Sequence, residues 1–514
     1  MKDLGDSEAM ETIGSKGLVK KSEFIRILID ALSSLGFADI AARLENESKT
    51  PLHSSIAKQF LELVKHGKWD KSIDALQGFE LRDEKAVRFL LLEQKFFEFL
   101  KTDNVAGALR TLRDEMEPLA VNKKRIHELA SEVISASVED AESVRLVERL
   151  QSLFPPAVIV PERMLEYFLE NHIDLERKYC FHHNVVDSDL SLFSKHQCGK
   201  RKIPSETVQI LEGHSDEVWF LKFSHDGKYL ASSSKDHSAI IWEMNAEGKF
   251  LMKHKLEGHE SPVVAVLWSP DDGQVITCGE NEVIKRWDVG SGDFVQSYEK
   301  DGVGSVSCGW FYDGSGIVGA MDDRRIYLWN LDGTEIQQEQ EQEKRAQMVS
   351  DVAMTSDGKW VISVGREQRE ISFFNRETGR VEKVIQEKDM ITSFSLSRDN
   401  KHLLIDLITQ KIHAWSIEGE PFRYLKLEGH KRSRFIIRSC FGGYGETFVA
   451  SGSEDSQVYI WRSGGEPCRV LSGHSGAVNC VSWNPTDIHM LASASDDRTI
   501  RIWGLDDKEA ACDD

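Results

Sequence analysis

The second half of the chain repeats one alternation of apolar and polar residues. Segments such as "KDHSAIIW", "EDSQVYIW" and "DDRTIRIW" place apolar side chains on one face of a strand and end on an aromatic residue. Seven copies occur, and their terminal aromatics, spaced 41 to 46 residues apart, are Trp242, Trp287, Trp329, Phe374, Trp415, Trp461 and Trp503. A period of about 40 to 45 residues is typical of a β-propeller with four short strands in each blade. The pattern therefore predicts seven blades.

The last repeat lacks a fourth strand. Only a polar, acidic tail follows Trp503, and such a tail is unsuited to a sheet. The segment "ETVQILEGH", which ends at the first Gly-His pair, has the pattern of a fourth strand but no blade of its own. We expect it to pair beside the Trp503 strand through Val208, Ile210 and Leu211, because closing the ring removes exposed sheet edges.

Gly-His pairs precede four of the repeats, in a pattern that resembles the WD-repeat structural network. In that family a tryptophan, a strand Ser or Thr, the histidine and a turn aspartate bond in series within a blade. A histidine held in this way is buried but satisfied, which gives it a structural role. Blades one, six and seven carry the full set, with His214, Asp236, Trp242, His430, Asp455, Trp461, His474, Asp497 and Trp503. Blades three to five lack the pair and are expected to depend on packing alone.

Apolar residues at helical spacing predict that the first half of the chain is helical. Ile25, Leu28, Ile29 and Leu32 form a stripe, and a two-helix hairpin of this size must associate to bury it. The stretch "SEFIRILIDALSSLGFADIAARLENES" resembles the LisH motif, and the resemblance implies dimerisation. The next helix pairs resemble the CTLH motif. The fold class is therefore α plus all-β, with an N-terminal helical LisH/CTLH array followed by a seven-bladed WD40 propeller closed by an N-terminal strand.

These patterns also set the predicted domain boundaries. One helix, "LLLEQKFFEFL", is apolar almost all round, which predicts burial by neighbouring helices or by a partner. The predicted domains are a disordered N-terminus at 1–19, a LisH hairpin at 20–52, a CTLH motif at 53–112, further CTLH/CRA-like helices at 113–186, a linker at 187–205, the propeller at 206–505 and an acidic tail at 506–514.

Composition narrows the possible functions. The 514 residues include 64 Lys+Arg and 85 Asp+Glu, and the formal net charge of −21 disfavours direct nucleic-acid binding. No segment has the apolar character of a signal peptide or a membrane span, so we expect a protein of the cytoplasm and also of the nucleus. The sequence contains no phosphate-binding loop, no nucleophile elbow and no RING-type Cys/His ladder. We expect no enzymatic activity and assign no catalytic residue and no cofactor.

One group of potential metal ligands lies near the predicted linker. Cys180, His183, His196 and Cys198 have the spacing C-x-x-H, twelve residues, H-x-C. Four such side chains are suitable zinc ligands, but a single residue between histidine and cysteine differs from common zinc modules. The sequence therefore favours a helix end followed by a polar linker, with metal binding as the alternative.

Two features of the propeller sequence are candidate partner-binding residues. Trp219 occupies a position that Asn479 fills in the last repeat, and tryptophan is common at interface hot spots. Lys431, Arg432 and Arg434 form a basic run in a loop of an acidic chain, which suits an acidic partner segment. The alternatives are that Trp219 fills a seam between blades and that the basic run is only solvated.

Over nearly its whole length the chain resembles the WD repeat-containing protein 26 family, the LisH/CTLH/WD40 subunit of CTLH/GID E3 ubiquitin ligases. The runs "EGHSDEVWFLKFSHDGKYLASSSKDHSAIIW", "SCFGGYGETFVASGSEDSQVYIW" and "MLASASDDRTIRIWG" carry the resemblance. It implies a noncatalytic scaffold that forms homo-oligomers through LisH and binds sibling LisH/CTLH subunits, a Ran-binding-protein-like scaffold and RING-bearing subunits. It also implies recruitment of protein substrates by the propeller. The alternatives are a splicing-associated LisH/CTLH/WD40 scaffold and a WD40 transcriptional co-regulator.

Overall fold

The computed structural model divides the chain into two compact units, Met1–Leu175 and Glu176–Asp514. Within the described residues, the first unit is helical apart from one small β-hairpin, and the second is built mainly of strands. Among the described residues, no helix has both the length and the apolar character needed to cross a membrane. The structure describes residues 11–506 apart from positions 80, 103, 136–145, 147–148, 151–152, 156–157, 181, 186–190, 193–195, 197, 200–201, 301, 337–348, 366–368, 377, 379, 434 and 463–464.

The first unit begins with a β-hairpin and a helical hairpin. Strands β1 (Thr12–Ile13) and β2 (Val19–Lys20) pair antiparallel, so residues 12–19 of the predicted disordered N-terminus lie in a hairpin, whereas residues 1–10 lie outside the described residues. A backbone hydrogen bond of 2.7 Å from Lys21 to Glu11 holds the base of this hairpin. Helices α1 (Lys21–Ser34) and α2 (Ala38–Ser48) follow. Gly36 ends α1 because it takes the left-handed conformation, with a φ of 88°.

Several of the remaining helices of this part of the chain pack around one central helix. They are α3 (Ser55–Lys65), α4 (Trp69–Ala75), α5 (Glu84–Lys101), α6 (Val105–Arg110), α7 (Lys123–Ser135) and α8 (Met164–Tyr179), with short helical turns at Leu76–Gly78, Thr111–Met116 and Glu117–Leu119. One side of α5 places Leu91 in a cluster with Phe60 and Phe154. Its other side places Phe96 in a cluster with Leu129. Neighbouring helices therefore account for the apolar pattern all round α5.

The second unit is a ring of seven antiparallel sheets, which confirms the predicted seven-bladed propeller. In the part of the chain that the structure describes, which does not include residues 337–348, blade three has three strands and the other blades have four. From blade one to blade seven the strands are β4 (Val218–Phe223), β5 (Tyr229–Ser234), β6 (Ser238–Met244) and β7 (Phe250–Glu257); β8 (Val263–Trp268), β9 (Gln274–Gly279), β10 (Ile284–Asp288) and β11 (Phe294–Tyr298); β12 (Ser305–Trp310), β13 (Gly316–Met321) and β14 (Ile326–Asn330); β15 (Val349–Met354), β16 (Trp360–Gly365), β17 (Glu370–Asn375) and β18 (Val381–Gln386); β19 (Ile391–Leu396), β20 (His402–Leu407), β21 (Lys411–Ser416) and β22 (Phe422–Leu427); β23 (Ser439–Gly442), β24 (Phe448–Ser451), β25 (Gln457–Trp461) and β26 (Arg469–Ser472); and β27 (Val478–Trp483), β28 (Leu491–Ser495) and β29 (Thr499–Gly504) with β3 (Glu206–Glu212).

Burial decreases from the inner to the outer strand of a blade. In blade seven every residue of β27 and β28 is buried, whereas β3 alternates exposed and more buried positions. The inner strands are buried on both faces because each sheet packs between two neighbouring sheets. The cluster around Trp242, for example, contains Ile500 of blade seven and Val275 of blade two. The core of the propeller is therefore continuous from blade to blade.

Strand β3 closes the ring, as predicted, by pairing antiparallel with β29. Ile500 lies opposite Leu211, and Arg501 lies opposite Ile210. Only Leu211 points into the core, at 3% exposure, whereas Val208 and Ile210 are 54% and 45% exposed. This corrects the prediction that all three side chains hold the strand. Strand β3 is held by its backbone hydrogen bonds to β29 and by the buried Leu211 side chain, and these contacts are called the clasp. Val208 and Ile210 face solvent because alternate side chains of an outer strand point away from the core.

Candidate protein-docking surfaces

Blades one and seven each contain a four-membered hydrogen-bonded series. In blade one the Trp242 indole donates to Ser232 Oγ (3.0 Å), Ser232 Oγ lies 2.9 Å from His214 Nε2, and His214 Nδ1 lies 3.0 Å from Asp236. Burial by itself raises the pKa of Asp236, but hydrogen bonds from His214 and from Ser238 hold that pKa well below its usual range. Blade seven repeats the series with Trp503, Ser493, His474 and Asp497, at 2.8, 2.7 and 2.8 Å.

Blade two forms the same series with an acid that the sequence analysis missed. Trp287 donates to Thr277 Oγ1 (2.8 Å), which lies 2.7 Å from His259 Nε2. His259 Nδ1 lies 2.8 Å from Glu282. The turn position counted back from Trp287 is Asn281, so the acid comes one residue later and is one methylene longer than aspartate. The sequence signal that could have identified Glu282 is the Gly258-His259 pair followed by an acidic residue near that turn.

Blade six does not form the series, although its sequence contains the parts. Among the described residues, neither ring nitrogen of His430 has a hydrogen-bond partner. The Trp461 indole donates instead to the Glu428 carbonyl (3.1 Å), and Asp455 accepts from the Tyr459 hydroxyl (2.9 Å). This corrects the prediction for His430, Asp455 and Trp461, because a tyrosine on the third strand competes for the aspartate. Burial lowers the pKa of His430 to about 4, so the ring is neutral at pH 7.

The middle blades use polar contacts as well as packing, which corrects the prediction of packing alone. In blade five, Glu387 accepts from the Trp415 indole (2.7 Å) and lies 2.8 Å from His413 Nδ1. Burial opposes the ionisation of Glu387, yet the hydrogen bonds from His413 and Trp415 lower its pKa. In blade three the Tyr327 hydroxyl donates to Asp323 (2.7 Å). The period of the repeat is preserved while the residues that tie its strands together differ.

The complete series hold the blades together and enclose their histidines, so a substrate cannot reach the ring nitrogens. Both ring nitrogens of His214, His259 and His474 are engaged by neighbouring side chains. All three histidines are buried, and a general base must reach the proton that it abstracts from a substrate. These residues are therefore structural, and binding surfaces must be sought at the ends of the ring.

Trp219 lies at an irregularity at the start of the inner strand β4. The register shifts between Val218 and Phe220, so Trp219 stands outside the ladder. The side chain is half-buried, and its indole N–H donates to Glu217 (3.0 Å), which also binds Lys235 (3.0 Å). Trp219 therefore keeps a fixed orientation at the end of the ring where inner strands begin. Its role in partner binding stays a prediction.

The basic run of blade six is divided between the surface and the interior. The Lys431 side chain is 72% exposed, whereas Arg432 is 2% exposed and donates to two backbone carbonyls of its own loop. The Arg432 guanidinium also faces Asp406 at 3.9 Å. Arg434 lies outside the described residues. The buried Arg432 side chain holds the loop from the inside through these hydrogen bonds, which corrects the prediction that it belongs to an exposed basic patch.

The same loop presents an apolar pair that the sequence analysis overlooked. Phe435 and Ile436 are 46% and 52% exposed. Glu454 orders the loop by accepting from the backbone N–H groups of Ser433 (2.6 Å) and Phe435 (3.1 Å). Exposed apolar side chains on an ordered loop are suited to protein docking. In blade six the interval between the Gly-His pair and the inner strand is longer than in the other blades that have such a pair, and this extra length is the sequence signal that could have indicated the exposed loop.

Arg438 joins blades at the centre of the ring. Its guanidinium forms an ion pair with Asp351 of blade four (2.6 Å) and lies 5.3 Å from the ring centre of Phe220 in blade one. Ser307 of blade three donates to the same carboxylate (2.8 Å). Burial alone would lower the pKa of Arg438, but pairing with Asp351 raises it. Arg438 is therefore a charged link across the ring.

The predicted dimerisation stripe of the LisH hairpin is partly used within the chain. Ile29 is 2% exposed, and Ile25, Leu28 and Leu32 are half-buried. A different set of apolar side chains faces solvent, at the C-terminal half of the hairpin and on the first turn of α1. Phe24, on the first turn of α1, is 38% exposed. Leu35, Phe37 and Ile40 lie where α1 passes into α2, at 64%, 52% and 52% exposure, and these three are called the hairpin patch.

The four potential metal ligands of the sequence come together. One ligand atom of each of Cys180, His183, His196 and Cys198 lies within 4.8 Å of the others. A helix end followed by a polar linker, the interpretation that the sequence favoured, does not explain this convergence.

A Lis-homology hairpin, a helical array and a WD-type ring with these hydrogen-bonded series define a LisH-containing WD40 propeller protein. Residues 10–54 match the WDR26 Lis-homology domain. Residues 205–243, 250–288, 422–462 and 465–504 match the WD domain, G-beta repeat. These four segments end at the third strands of blades one, two, six and seven, the blades with a Gly-His pair.

Whole-chain relatives define the family more closely. The chain is 59% identical over 512 residues to the WD repeat-containing protein 26 homolog of Arabidopsis thaliana, covering 96% of this chain and 86% of that protein. It is 32% identical over 507 residues to GID complex subunit 7 of Schizosaccharomyces pombe, covering 94% and 97%. The chain belongs to the WD repeat-containing protein 26 family.

Proposed function

We propose that the chain is a noncatalytic scaffold subunit of a GID-type E3 ubiquitin ligase. The observation that carries the proposal is its colinearity with GID complex subunit 7 of fission yeast, which covers 94% of this chain and 97% of that protein. Correspondence over the whole length includes both the helical unit and the propeller. The engaged histidines of the propeller support a structural role. RING-bearing partners would perform ubiquitin transfer, and the complex would act in the cytoplasm and the nucleus.

The helical unit is the proposed assembly module. The hairpin patch exposes one aromatic and two aliphatic side chains where the two short helices of the hairpin join. Such a patch gains free energy by docking against a second apolar surface, because burial of apolar area is favourable by about 25 cal/mol per Å². We propose that it joins a second copy of the chain and sibling LisH/CTLH subunits. The Ran-binding-protein-like scaffold and the RING-bearing subunits would complete the complex.

Size-exclusion chromatography with light scattering tests the assembly role. Leu35→Asp with Phe37→Asp in the full chain should lower the molar mass of the purified protein and stop its co-elution with co-expressed GID-type subunits. Both side chains are exposed, so the fold should be retained. The matched control is Phe422→Asp, which changes a 58%-exposed aromatic residue on an outer propeller strand. Equal assembly of the hairpin variant and the control would contradict the proposal.

The propeller is the proposed recruitment module. Phe435, Ile436 and the half-buried Trp219 all precede or begin inner strands, so they lie at the same end of the ring. Two ordered apolar side chains and an indole fit a partner with a short apolar segment, since a few large side chains carry most interface energy. We propose that this end of the ring binds protein substrates or substrate adaptors.

Ubiquitin transfer in a reconstituted complex separates recruitment from assembly. Phe435→Ser with Ile436→Ser should leave the complex intact and reduce ubiquitylation of proteins that the wild-type complex modifies. Val470→Ser is the control, because Val470 is 40% exposed on the outer strand of the same blade. Unchanged substrate modification by the loop variant would contradict the recruitment role. Isolation of the full chain with spliceosomal proteins and without RING-bearing subunits would contradict the ligase assignment.

A further inference from the structure

Residues between the end of α8 and strand β3 bring two thiols and two imidazoles to one point. Cys180 follows α8 directly and is 6% exposed, and His183 is 1% exposed. His196 and Cys198 come from the segment before β3. All four belong to the same compact unit as the propeller. The nitrogen and sulfur atoms that converge are therefore fixed within one unit.

The separations of these atoms fit the edges of a small tetrahedron. His183 Nδ1 lies 2.7 Å from His196 Nε2 and 3.7 Å from Cys198 Sγ. His196 Nε2 lies 2.9 Å from Cys198 Sγ, and none of the four ligand atoms is more than 4.8 Å from another. Zinc bonds of about 2.3 Å to sulfur and 2.0 Å to nitrogen place tetrahedral ligands about 3.3 to 3.8 Å apart. The observed separations bracket this range, so shifts of a few tenths of an ångström to about 1 Å would complete the site.

The surroundings supply the contacts that metal-bound thiolates and imidazoles require. The backbone N–H of Cys198 donates to Cys180 Sγ (3.1 Å), and the backbone N–H of Asn184 donates to Cys198 Sγ. The Arg462 guanidinium interacts electrostatically with both sulfurs and donates to a backbone carbonyl at the end of α8 (2.7 Å). Glu176 accepts from the backbone N–H of His196 (2.7 Å). Hydrogen bonds of this kind orient metal ligands and stabilise thiolate charge.

The same segment is attached to the propeller by Asn184. The Asn184 amide donates to the carbonyls of Lys202 (2.8 Å) and Ile488 (3.0 Å). Its Oδ1 accepts from the backbone N–H of Tyr444 (2.8 Å). Asn184 is fully buried, so these bonds fix the chain next to His183 against blades six and seven. A rigid support for the ligands is therefore present.

We propose that Cys180, His183, His196 and Cys198 bind one zinc ion that fastens the segment before β3 to blades six and seven. Two thiolates and two neutral imidazoles form a closed site of the structural type, with no position left for a substrate. His183 would bind through Nδ1 and His196 through Nε2, the nitrogens that face each other. Binding would release the protons of both thiols, since the ligands must be deprotonated. The site is independent of the ubiquitin-ligase assignment.

Metal analysis of the full chain tests the site directly. Protein purified with a phosphine reductant and without chelators should contain one zinc ion per chain by inductively coupled plasma mass spectrometry. Cys180→Ser with Cys198→Ser should lose at least nine-tenths of that zinc. Cys440→Ser, which removes a thiol elsewhere in blade six, is the matched control and should keep it. Zinc that persists in the double variant, or a wild-type chain without zinc, would overturn the proposal.

A second set of measurements guards against simple unfolding of the double variant. Cobalt added to the metal-free chain should give the visible absorption of a tetrahedral site and a thiolate-to-cobalt charge-transfer band. Cys198→His retains four ligands, so it should keep the visible bands and lose part of the charge-transfer intensity. A strong chelator should increase proteolysis between Cys180 and Ile203 in the wild-type chain. No cobalt spectrum, or a Cys180–Cys198 disulfide in the reduced preparation, would overturn the proposal.

Discussion

Two histidines in equivalent positions should respond in opposite ways to the same substitution. His474 bonds through both nitrogens to Asp497 and Ser493, whereas among the described residues His430 bonds through neither. We expect His474→Phe to destabilise the propeller and His430→Phe to leave it as stable or more stable at pH 7. The His430 ring already packs edge-on against Trp461, with 5.7 Å between ring centres, which a phenyl ring can preserve.

The expected change in the free energy of unfolding depends on which hydrogen-bond partners each substitution leaves unsatisfied. Replacing His474 removes one hydrogen bond from the Asp497 carboxylate and one from the buried Ser493 hydroxyl, at a cost of about 2 to 4 kcal/mol in the free energy of unfolding. Replacing His430 removes two buried polar atoms that have no bonds, a change worth about 0 to 2 kcal/mol in favour of the folded state. Extra ring volume would reduce this gain. The two variants should therefore differ by at least about 2 kcal/mol.

The pH dependence of the difference gives a second, independent signature. The pKa of His430 is about 4 in the folded chain, because burial lowers it and Arg432 adds to the effect. The unfolded value is about 6.5. Since the unfolded chain binds the proton more tightly, the wild type keeps its full stability above pH 6.5 and loses up to about 3 kcal/mol as the pH falls to 4. His430→Phe should lack this loss, so its advantage over the wild type should grow between pH 6.5 and pH 4.

Urea unfolding followed by tryptophan fluorescence is the suitable assay. All tryptophans except Trp69 lie in the propeller, so the signal reports on that unit. The comparison between variants requires only the shift in the unfolding midpoint and an unchanged slope. If His430→Phe destabilised the propeller as much as His474→Phe, then blade six would contain the complete series and the competition by Tyr459 would be refuted.

Two further pairs of substitutions test how β3 is held and what lies inside the blade-six loop. Leu211→Ala should lower the free energy of unfolding by about 2 to 4 kcal/mol and Ile210→Ala by less than about 1, because only Leu211 is buried; similar midpoints in urea would contradict the register of β3. Arg432→Leu should cost about 3 to 5 kcal/mol, since it leaves Asp406 buried without a cation, whereas Lys431→Ala should be neutral in thermal unfolding. Equal melting temperatures for these two variants would show that Arg432 is a surface residue.

The fold was predictable from the sequence because its signal repeats. The terminal aromatics at a period near 43 residues locate every blade, and the absence of a fourth strand after Trp503 identifies β3 as the closing strand. The alternation of apolar and polar residues within β3 predicted a strand, but it did not show which side chains of that strand are buried in the core. The exposure of Val208 and Ile210 depends on β3 being the outermost strand of blade seven, which local pattern does not show.

The hydrogen-bonded series were predictable only where each residue has its usual partner. In blade two the acid is Glu282, displaced by one position and reaching further. In blade six Tyr459 takes the Asp455 carboxylate, a competition that depends on the direction of one side chain across a strand. Motif spacing contains no information about such competition. The sequence therefore located the histidines correctly but misassigned one of their environments.

Charge runs and ligand spacings failed for a related reason. The basic run suggested a solvated patch, yet Arg432 points inward to Asp406, a residue distant in sequence. The single-residue interval between His196 and Cys198 favoured a polar linker, yet both side chains approach His183, at 2.7 and 3.7 Å. Metal binding there stays a prediction. In both cases long-range packing decides where the side chain points. Sequence patterns report periodicity along the chain, and these features depend on contacts across it.

The order in which the ring closes has a consequence for how the protein is made. The ribosome synthesises β3 before any blade, but its partner β29 follows roughly 290 residues later. At a synthesis rate of about 5 to 20 residues per second, β3 waits about 15 to 60 s with its backbone unpaired. Every nascent chain therefore has an open sheet edge until β29 has been synthesised. A premature stop in the last blade would leave that edge permanently exposed to aggregation or to degradation.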